Sequence, residues 1–387
     1  MLAARIIPVL RTLVIIVAVL NLNCLAYRYL FWNFTSMSHA RKFPSRHVSS
    51  SDRPYAFPRA PTRFDSLEYT WKNRPFKAPL EKFLNESGTT SFLVIKNDSL
   101  RLEWYRKGYS RNSLVTTFSM AKSVVSLLIG IAIDEGAIKS VNDNIGTYIR
   151  ELHERPLGTL TIRKLLLMEK WRHYDECFFP WCDVVQEYYS PDTKKLALNL
   201  TPETMDDECF YYNDYNTKLL GYALASATGM TVSDYLAKKL WQPLGTEYDA
   251  SWSLDNDHNG NELMSAGLNG RAIDFAKIGQ LVLHNGSWNG QRIVSEEWIR
   301  ESTRPDSAQQ RKWCMFQEDQ KRYRMFYKYH WWGYQVNDAD YESLAWGVLG
   351  ELIFVSRNTH TVIVRFGEKT GNVDSWSVPL RYLAEKL

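Results

Sequence analysis

Apolar and polar residues alternate along this chain with two different periods, and each period predicts a different kind of element. The stretch TTSFLVIKNDSLRLEWYRKG, residues 89–108, reads as two β-strands joined at Asn97-Asp98, which is typical of a hairpin. The next stretch, TTFSMAKSVVSLLIGIAIDEG, residues 116–136, is apolar at helical spacing. It predicts a helix from about Ser119 to Glu135, with Gly136 as its C-terminal stop.

Helical patterns such as LTIRKLLLM and TKLLGYALASATG occupy the middle of the chain, from about residue 140 to 260. The end returns to strand patterns in KYHWWGYQVND, GELIFVSRN and HTVIVRFG, followed by a short helix from about Ser377. Strands first, helices in the middle and strands last predict an α+β fold. We expect one antiparallel sheet built from both chain ends, flanked by helices, with a helical lobe inserted at residues 140–260.

The N-terminal residues have a different pattern, since the run from Leu13 to Trp32 carries one charge, Arg28. At 1.5 Å per residue it is just long enough to cross ~30 Å of hydrocarbon if Arg28 reaches the far interface. Residues 1–35 are therefore predicted to be a single-pass membrane anchor, with a cleaved signal peptide as the alternative. Residues 36–80, rich in Ser, Pro and Arg, are predicted to be an extended arm, and residues 81–387 the body. We expect the body outside the cytoplasm, although the flanking basic residues favour the opposite orientation.

Composition and charge exclude several function classes. The net charge is +4, and no basic block indicates nucleic-acid binding. The eight histidines show no paired ligand spacing and no phosphate loop is present, so we expect neither a metal nor a cofactor. Four cysteines, Cys177, Cys182, Cys209 and Cys314, form either two disulfides or four free thiols, and Cys177 and Cys182 are the nearest pair in sequence.

Ser119 and Lys122 are the candidate catalytic pair. A serine is a weak nucleophile that needs an adjacent base, and residues at i and i+3 share one face of a helix. Burial disfavours the charged form of a lysine, and Val124 and Val125 make such burial plausible. The free N–H groups at a helix N-terminus can stabilise an oxyanion. Taken alone, the same tetrad also fits a serine helix cap beside a solvated lysine.

The stretch TTFSMAKSVVSLLIGIAIDEGAIKSVNDNIGTYI resembles the nucleophile helix of the serine β-lactamase and penicillin-binding superfamily. LTIRKLLLM, YYNDYNTKLLGYALASATG and FAKIGQLVLHNGSWNGQRIVSEEW resemble later segments of that superfamily, in the right order. The resemblance is to the branch of class C β-lactamases, their esterase relatives and 6-aminohexanoate-dimer hydrolases, and it runs from about residue 80 to the end. It implies the β-lactamase/transpeptidase-like fold and an acyl-enzyme on Ser119.

The family's second motif is Tyr-x-Asn or Tyr-x-Ser, placed before a Leu-Leu-Gly. Tyr211 begins a literal Tyr-x-Asn, but the family spacing of seven residues before Leu219 selects Tyr212. The resemblance implies that Tyr212 relays a proton between Ser119 and the leaving group, held in partial phenolate character by Lys122. Asp214 then occupies the usual Asn or Ser position, where it would repel an anionic substrate or accept a hydrogen bond from a cationic one.

The third motif, Lys-Thr-Gly or His-x-Gly, opens a strand that lines the site. EKTGN, with Lys369, has the right letters but follows the last two strands, so we expect it to lie beyond the site. LAWGVLGELIFV matches by position, which puts Ala345 to Gly347 at the motif and Val348 after it. The lysine is absent there. The N–H of Val348 is expected to join the N–H of Ser119 as an oxyanion hole.

Three tryptophans, Trp171, Trp331 and Trp332, are candidate walls of a substrate pocket that also includes Gly347 and Asp214. The predicted function is a serine hydrolase that acts on a small amide or ester through an acyl-enzyme. One alternative is a catalytically weak or inactive binding protein on the same fold. Another is a true β-lactamase or D-Ala-D-Ala peptidase.

Overall fold

The computed structural model describes residues 28–30, 35–71, 74–204, 208–305, 312–337, 339–371, 373 and 375–387. Apart from residues 28–30, the predicted membrane span Leu13–Trp32 lies outside these residues. Within them, no helix has the length and apolarity that a membrane crossing requires. Arg28 is buried, and its Nε donates a hydrogen bond to the carbonyl oxygen of Tyr189 at 2.8 Å.

Strands predominate at both ends of the described chain, and helices predominate in its middle. The strands are β1 (Ser45–Val48), β2 (Ser66–Trp71), β3 (Arg74–Pro79), β4 (Thr89–Lys96), β5 (Ser99–Tyr105), β6 (Val115–Thr116), β7 (Ala250–Ser253), β8 (Leu268–Gly270), β9 (Ser287–Trp288), β10 (Gln291–Arg292), β11 (Met325–Lys328), β12 (Trp331–Gln335), β13 (Tyr341–Trp346), β14 (Leu352–Ser356) and β15 (Thr361–Gly367). The helices are α1 (Leu80–Glu86), α2 (Ala121–Asp134), α3 (Ile162–Leu166), α4 (Asp183–Tyr189), α5 (Thr193–Leu198), α6 (Asp214–Thr228), α7 (Val232–Leu236), α8 (Ala272–Leu283), α9 (Glu296–Thr303), α10 (Gln317–Tyr323) and α11 (Ser377–Lys386).

The main sheet confirms the predicted antiparallel sheet built from both chain ends. Its seven strands run in the order β11-β12-β13-β14-β15-β4-β5, and every neighbouring pair is antiparallel. The two chain ends meet where β15 pairs with β4, with Val362 opposite Ile95. The predicted hairpin is also present, because Asn97 (φ 49°) and Asp98 (φ 58°) adopt the left-handed conformation that its two-residue turn requires.

Both faces of this sheet are covered, which explains why its strands are apolar at consecutive positions. On β4, Leu93 and Ile95 pack with α2 and α8 in one core cluster, whereas Phe92 and Val94 pack with α1 and α11 in the other. Successive side chains of a strand point to opposite faces, so each face receives every second residue. Helix α2, which follows Ser119, lies in the first of these clusters.

The predicted arm of residues 36–80 packs on the body instead of extending away from it. β1 pairs with β7, and these strands form a second sheet in the order β1-β7-β8-β6. Phe57 is buried in the same core cluster as α2. Further along, the β2–β3 hairpin contacts α11 at the C-terminus. The apolar residues scattered among the Ser, Pro and Arg of this segment account for the difference, because their burial holds it against the body.

Helices α3 to α7 all fall within the predicted insertion of residues 140–260. Two disulfides, Cys177–Cys182 and Cys209–Cys314, answer the question that the sequence left open. The second joins the start of the segment before α6 to the segment before α10, across 105 residues. It therefore ties the insertion to the sheet side of the protein, close to Tyr212.

Candidate active site

Ser119 lies at a sharp turn between the second sheet and the central helix. β6 ends at Thr116, and the N–H and the hydroxyl of Thr117 both donate to the carbonyl oxygen of Leu268, each at 2.9 Å. Phe118 then adopts φ 43°, a strained conformation for a non-glycine residue. Ser119 follows within a short 3₁₀ turn, Phe118–Met120, that runs directly into α2. The turn therefore presents the serine hydroxyl at a helix N-terminus.

Lys122 is buried directly beneath Ser119. Its Nζ donates to the Oγ of Ser119 at 2.9 Å and to the carbonyl oxygen of Ser265 at 2.7 Å. It also forms an ion pair with Oδ1 of Asp214 at 2.8 Å. A buried charge is stabilised by a partner of opposite sign. Asp214, the residue that departs from the family motif, is therefore the counter-ion of Lys122.

Tyr212, and not Tyr211, lies beside this pair. Its ring centroid is 5.1 Å from Nζ of Lys122, and its hydroxyl hydrogen-bonds with Ser119. The hydroxyl of Tyr211 instead donates to the carbonyl oxygen of Tyr174 at 3.1 Å. Burial, followed by the negative charge of Asp214, holds the pKa of Tyr212 well above its usual value. Tyr212 is therefore a neutral phenol that can donate a proton, rather than the partial phenolate that the sequence suggested.

Asp214 is positioned by the start of α6. The side chain of Asn213 caps this helix by accepting the N–H of Tyr215 at 2.9 Å, which makes Asp214 the first residue of the helix. Helix N-termini favour negative charge. The literal Tyr-x-Asn motif thus supplies a helix cap, and the residue after the cap carries the carboxylate that reaches Lys122.

A second buried ion pair extends this network away from the serine. The hydroxyl of Ser265 donates a short hydrogen bond to Oε1 of Glu187, whose partner is Nζ of Lys218 at 3.1 Å. Burial raises the pKa of Glu187, and Lys218 acts in the opposite direction. Sequence reasoning missed all three residues. The available signal was a charged residue on an otherwise apolar helix face, in VVQEYY and NTKLLGY.

The end of β13 approaches the serine turn closely, and Gly347 makes this approach possible. A Cβ at Gly347 would lie 2.5 Å from the carbonyl oxygen of Thr117 and 2.5 Å from Oε2 of Glu351. Val348 follows, with 55% of its surface exposed in the cavity wall. Among the described residues, its backbone N–H makes no backbone hydrogen bond. That amide is available to a ligand.

The sequence predicts that EKTGN lies beyond the site, and in the structure only part of this motif does. It does follow β15, the last strand, and the Lys369 side chain packs against Gly88. Thr370, however, lines the cavity, and its hydroxyl donates to the carbonyl oxygen of Val348 at 3.0 Å. Thr370 therefore stabilises the loop at Val348 through this hydrogen bond.

Only one of the three candidate pocket tryptophans lines the cavity. Trp332 does so, stacked on Tyr212 with ring centroids 5.8 Å apart. Trp331 is the preceding residue on β12, so it points to the opposite face and is fully buried in the helix-side core. Trp171 is also in that core, where its Nε1 donates to Oδ1 of Asn216 at 2.5 Å. The prediction that Trp171 and Trp331 form pocket walls is wrong.

Ser119 opens into a cavity of about 830 Å³ whose described lining is aromatic and acidic. Four of the described lining residues carry a carboxylate and none carries a cationic side chain; the four are Glu176, Glu187, Asp214 and Asp319. Burial and the charge of Asp214 raise the pKa of Glu176 to about 7. The cavity therefore disfavours an anionic group and becomes more negative as the pH rises through 7. No group of three or more potential metal-ligating side chains is found among the residues that the structure describes.

Comparisons with known proteins agree on this architecture. The sequence profile described as Beta-lactamase matches residues 84–373. The chain is 26% identical over 232 residues to the 6-aminohexanoate-dimer hydrolase of Paenarthrobacter ureafaciens. That match spans 57% of this chain and 58% of the relative, so a substantial part of the relative has no counterpart in the alignment.

Solved structures extend the similarity of the fold. A candidate 6-aminohexanoate-dimer hydrolase from Bacillus anthracis superposes with a TM-score of 0.76 at 22% identity, over 92% of this chain and 93% of that one. An octameric penicillin-binding protein homologue from Pyrococcus abyssi gives a TM-score of 0.57 at 17% identity, over 79% and 74%. At these identities the superpositions show a shared fold.

Proposed function

This chain belongs to the β-lactamase family and is a serine hydrolase, and from that premise we propose that it cleaves a small amide or ester through an acyl-enzyme on Ser119. One observation carries the proposal. The Nζ of a buried lysine, Lys122, lies 2.9 Å from the Oγ of Ser119, while the Tyr212 hydroxyl hydrogen-bonds the same serine. A nucleophile, a base and an acid thus meet at one point.

Each residue has one role in the proposed reaction. Lys122 in its neutral form takes the proton of Ser119 as the serine Oγ attacks the carbonyl carbon. The N–H groups of Ser119 and Val348 stabilise the oxyanion that forms. Tyr212, a neutral phenol, protonates the departing amine or alcohol. It then regains a proton from Lys122, which holds the proton taken from Ser119. Water then attacks the acyl-enzyme by the same route and releases the acid.

The charge of the cavity supports neutral or cationic substrates. An anion placed beside Asp214 and Glu176 would find no cationic side chain among the described lining residues. Desolvating an anion without a partner costs several kcal/mol, enough to remove useful affinity. The relative from Paenarthrobacter ureafaciens is named as a hydrolase of the 6-aminohexanoate dimer. We therefore propose small linear amides and esters, with slow or no hydrolysis of penicillins and cephalosporins, whose carboxylate this cavity does not accommodate.

An active-site probe tests the assignment. A fluorophosphonate should label the purified protein, and Ser119→Ala should abolish the labelling. Ser99→Ala, at the start of β5 and outside the cavity, is the matched control and should label normally. Lys122→Ala should slow acylation by several orders of magnitude, since base and nucleophile act as a unit. Labelling that persists in Ser119→Ala would refute the catalytic role, and an unlabelled parent protein would favour the inactive binding protein.

We also propose that the body lies outside the cytoplasm, tethered by the apolar N-terminal residues that precede Arg28. The disulfides Cys177–Cys182 and Cys209–Cys314 support this location, because such bonds persist in oxidising compartments. Protease added to intact cells should digest the body. Complete protection, with digestion after the cells are permeabilised, would contradict this location.

A further inference from the structure

Large apolar side chains that are exposed to solvent are concentrated at the mouth of the cavity. Three of them, Phe178, Phe316 and Val348, line the cavity. The other exposed ones in the described chain are close neighbours in sequence of lining residues: Leu30 follows Tyr29, and Phe179 and Trp181 follow Phe178. We call this set the apolar rim; it consists of Leu30, Phe178, Phe179, Trp181, Phe316 and Val348. A concentration of this kind marks an interaction surface.

The most prominent part of the apolar rim is the loop closed by the Cys177–Cys182 disulfide. Phe178, Phe179 and Trp181 are 77%, 56% and 69% exposed. The rings of Phe179 and Trp181 stack on each other, with centroids 4.8 Å apart and planes within 4°. The loop thus presents three aromatic side chains to solvent, although burying them would be favourable.

The N-terminal apolar run reaches the body at this same loop. The hydroxyl of Tyr29 donates a short hydrogen bond to the carbonyl oxygen of Phe178, and the Tyr29 ring packs edge-on against Tyr189 at 5.8 Å. Arg28 is fixed to the same residue through its hydrogen bond to the Tyr189 carbonyl. The chain that leads back from Arg28 is the apolar stretch from Leu13 to Tyr27. The first described residues of the chain therefore contact the apolar rim, and the apolar stretch precedes them in the sequence.

We propose that the apolar rim inserts into the surface of a lipid bilayer, so that the cavity opens at the membrane and receives its amide or ester from the lipid phase. Tryptophan and phenylalanine are favoured at membrane interfaces, and the apolar sequence that joins the rim at Arg28 fits a bilayer better than a water-exposed partner. Asp175 and Glu176 border the loop, which favours zwitterionic over anionic lipids. The proposal rests on the hydrolase function proposed above.

Fluorescence quenching tests the contact directly. The full-length protein is reconstituted in phosphatidylcholine vesicles that contain lipids brominated near the headgroup. The brominated lipids should quench the fluorescence of Trp181. Trp181→Phe should therefore reduce the amount of tryptophan fluorescence that these lipids quench. Trp288→Phe, in the β9–β10 hairpin, is the matched control and should leave the quenched part unchanged. Equal losses in the two variants, or no quenching at all, would overturn the proposal.

Kinetics test the delivery of substrate. The double variant Phe179→Ser, Trp181→Ser changes rim residues that do not line the cavity. It should hydrolyse water-soluble p-nitrophenyl acetate like the parent protein. Its hydrolysis of a long-chain p-nitrophenyl ester dissolved in phosphatidylcholine vesicles should fall at least ~10-fold, since less apolar surface holds the mouth at the interface.

The two substrates separate failure of this proposal from failure of the hydrolase assignment. Unchanged hydrolysis of the vesicle-borne ester would overturn the membrane contact alone. If the parent protein hydrolyses neither ester, the hydrolase function is refuted. The quenching result would still decide whether the apolar rim contacts lipid. Size-exclusion chromatography in detergent adds one arm. A dimer that the double variant converts to a monomer would show that a second copy covers the rim, and would overturn the proposal.

Discussion

Replacing Asp214 by asparagine is the sharpest test of the proposed chemistry, because it restores the residue type of the family motif with little change in shape. The Asp214 carboxylate lies 2.8 Å from Nζ of the buried Lys122. At an effective dielectric constant of about 20, two unit charges at that distance attract each other by roughly 6 kcal/mol before desolvation is subtracted. Breaking a buried ion pair by removing one partner typically destabilises the remaining charge by about 3–5 kcal/mol.

The sign of the effect follows from which form of Lys122 reacts. In the proposed reaction the neutral amine accepts the Ser119 proton, whereas the Asp214 carboxylate stabilises the ammonium. Asp214→Asn removes that stabilisation and so favours the reactive form. At pH 7 hydrolysis of the neutral ester should then be faster, while a cationic ester of equal size should gain less or lose.

The assay is a pH profile of kcat/KM, measured from pH 5 to 10 on matched neutral and cationic p-nitrophenyl esters. Asp319→Asn is the control, because Asp319 also lines the cavity but is not the ion-pair partner of Lys122. It should alter the preference for the cationic ester without moving the profile of the neutral one. A profile in Asp214→Asn that coincides with that of the parent protein would refute the argument that Asp214 controls the base.

Three further predictions test other parts of the site. Val348→Pro removes the proposed oxyanion donor and should lower kcat on the order of 10²–10³-fold. Lys369→Ala should leave kcat nearly unchanged. The reverse pattern would show that β13 has been assigned the wrong role. The pKa of Glu176 is raised to about 7, so this carboxyl is neutral below pH 7 and charged above it. The ratio of kcat/KM for cationic esters to kcat/KM for neutral esters should therefore rise roughly 3–10-fold between pH 6 and 8. An equal rise of this ratio in Glu176→Gln would contradict the prediction. Trp171→Phe leaves the buried Oδ1 of Asn216 without its hydrogen-bond donor. Thermal unfolding should therefore show that the free energy of unfolding falls by about 1–3 kcal/mol, with kcat/KM little changed. A loss of activity without a loss of stability would show that Trp171 belongs to the active site.

The sequence predicted those features that depend on local pattern and on spacing. The turn at Asn97-Asp98, the helix after Ser119 and its end at Gly136 all follow from residue types with strong backbone preferences. The choice of Tyr212 over Tyr211 came from the spacing to Leu219. In the structure Tyr212 lies beside Ser119 and Lys122, and α6 fixes how far it lies from the Leu-Leu-Gly that packs in the core.

The predictions that went wrong depended on which neighbour a side chain has. Trp331 and Trp332 look equivalent in the sequence, and only the register of β12 decides that Trp332 faces the cavity. Trp171 follows the segment that departs from the family pattern, and its burial depends on Asn216 in α6. The arm of residues 36–80 is rich in residues typical of linkers. No local pattern reveals that β1 pairs with β7, some 200 residues later in the chain.

The buried charges explain how a polar centre can lie within so apolar a core. Lys122 is balanced by Asp214, and Glu187 is balanced by Lys218, with Ser265 bridging the two pairs. Each buried ion thus has its counter-ion, as the cost of desolvation requires. The carboxylates of Glu176 and Asp319 at the cavity wall lie outside this balance, so the cavity as a whole is negative. Since Asp214 already balances the charge of Lys122, the remaining carboxylates are available to a substrate, and this is why we propose a cationic group as the one that fits them.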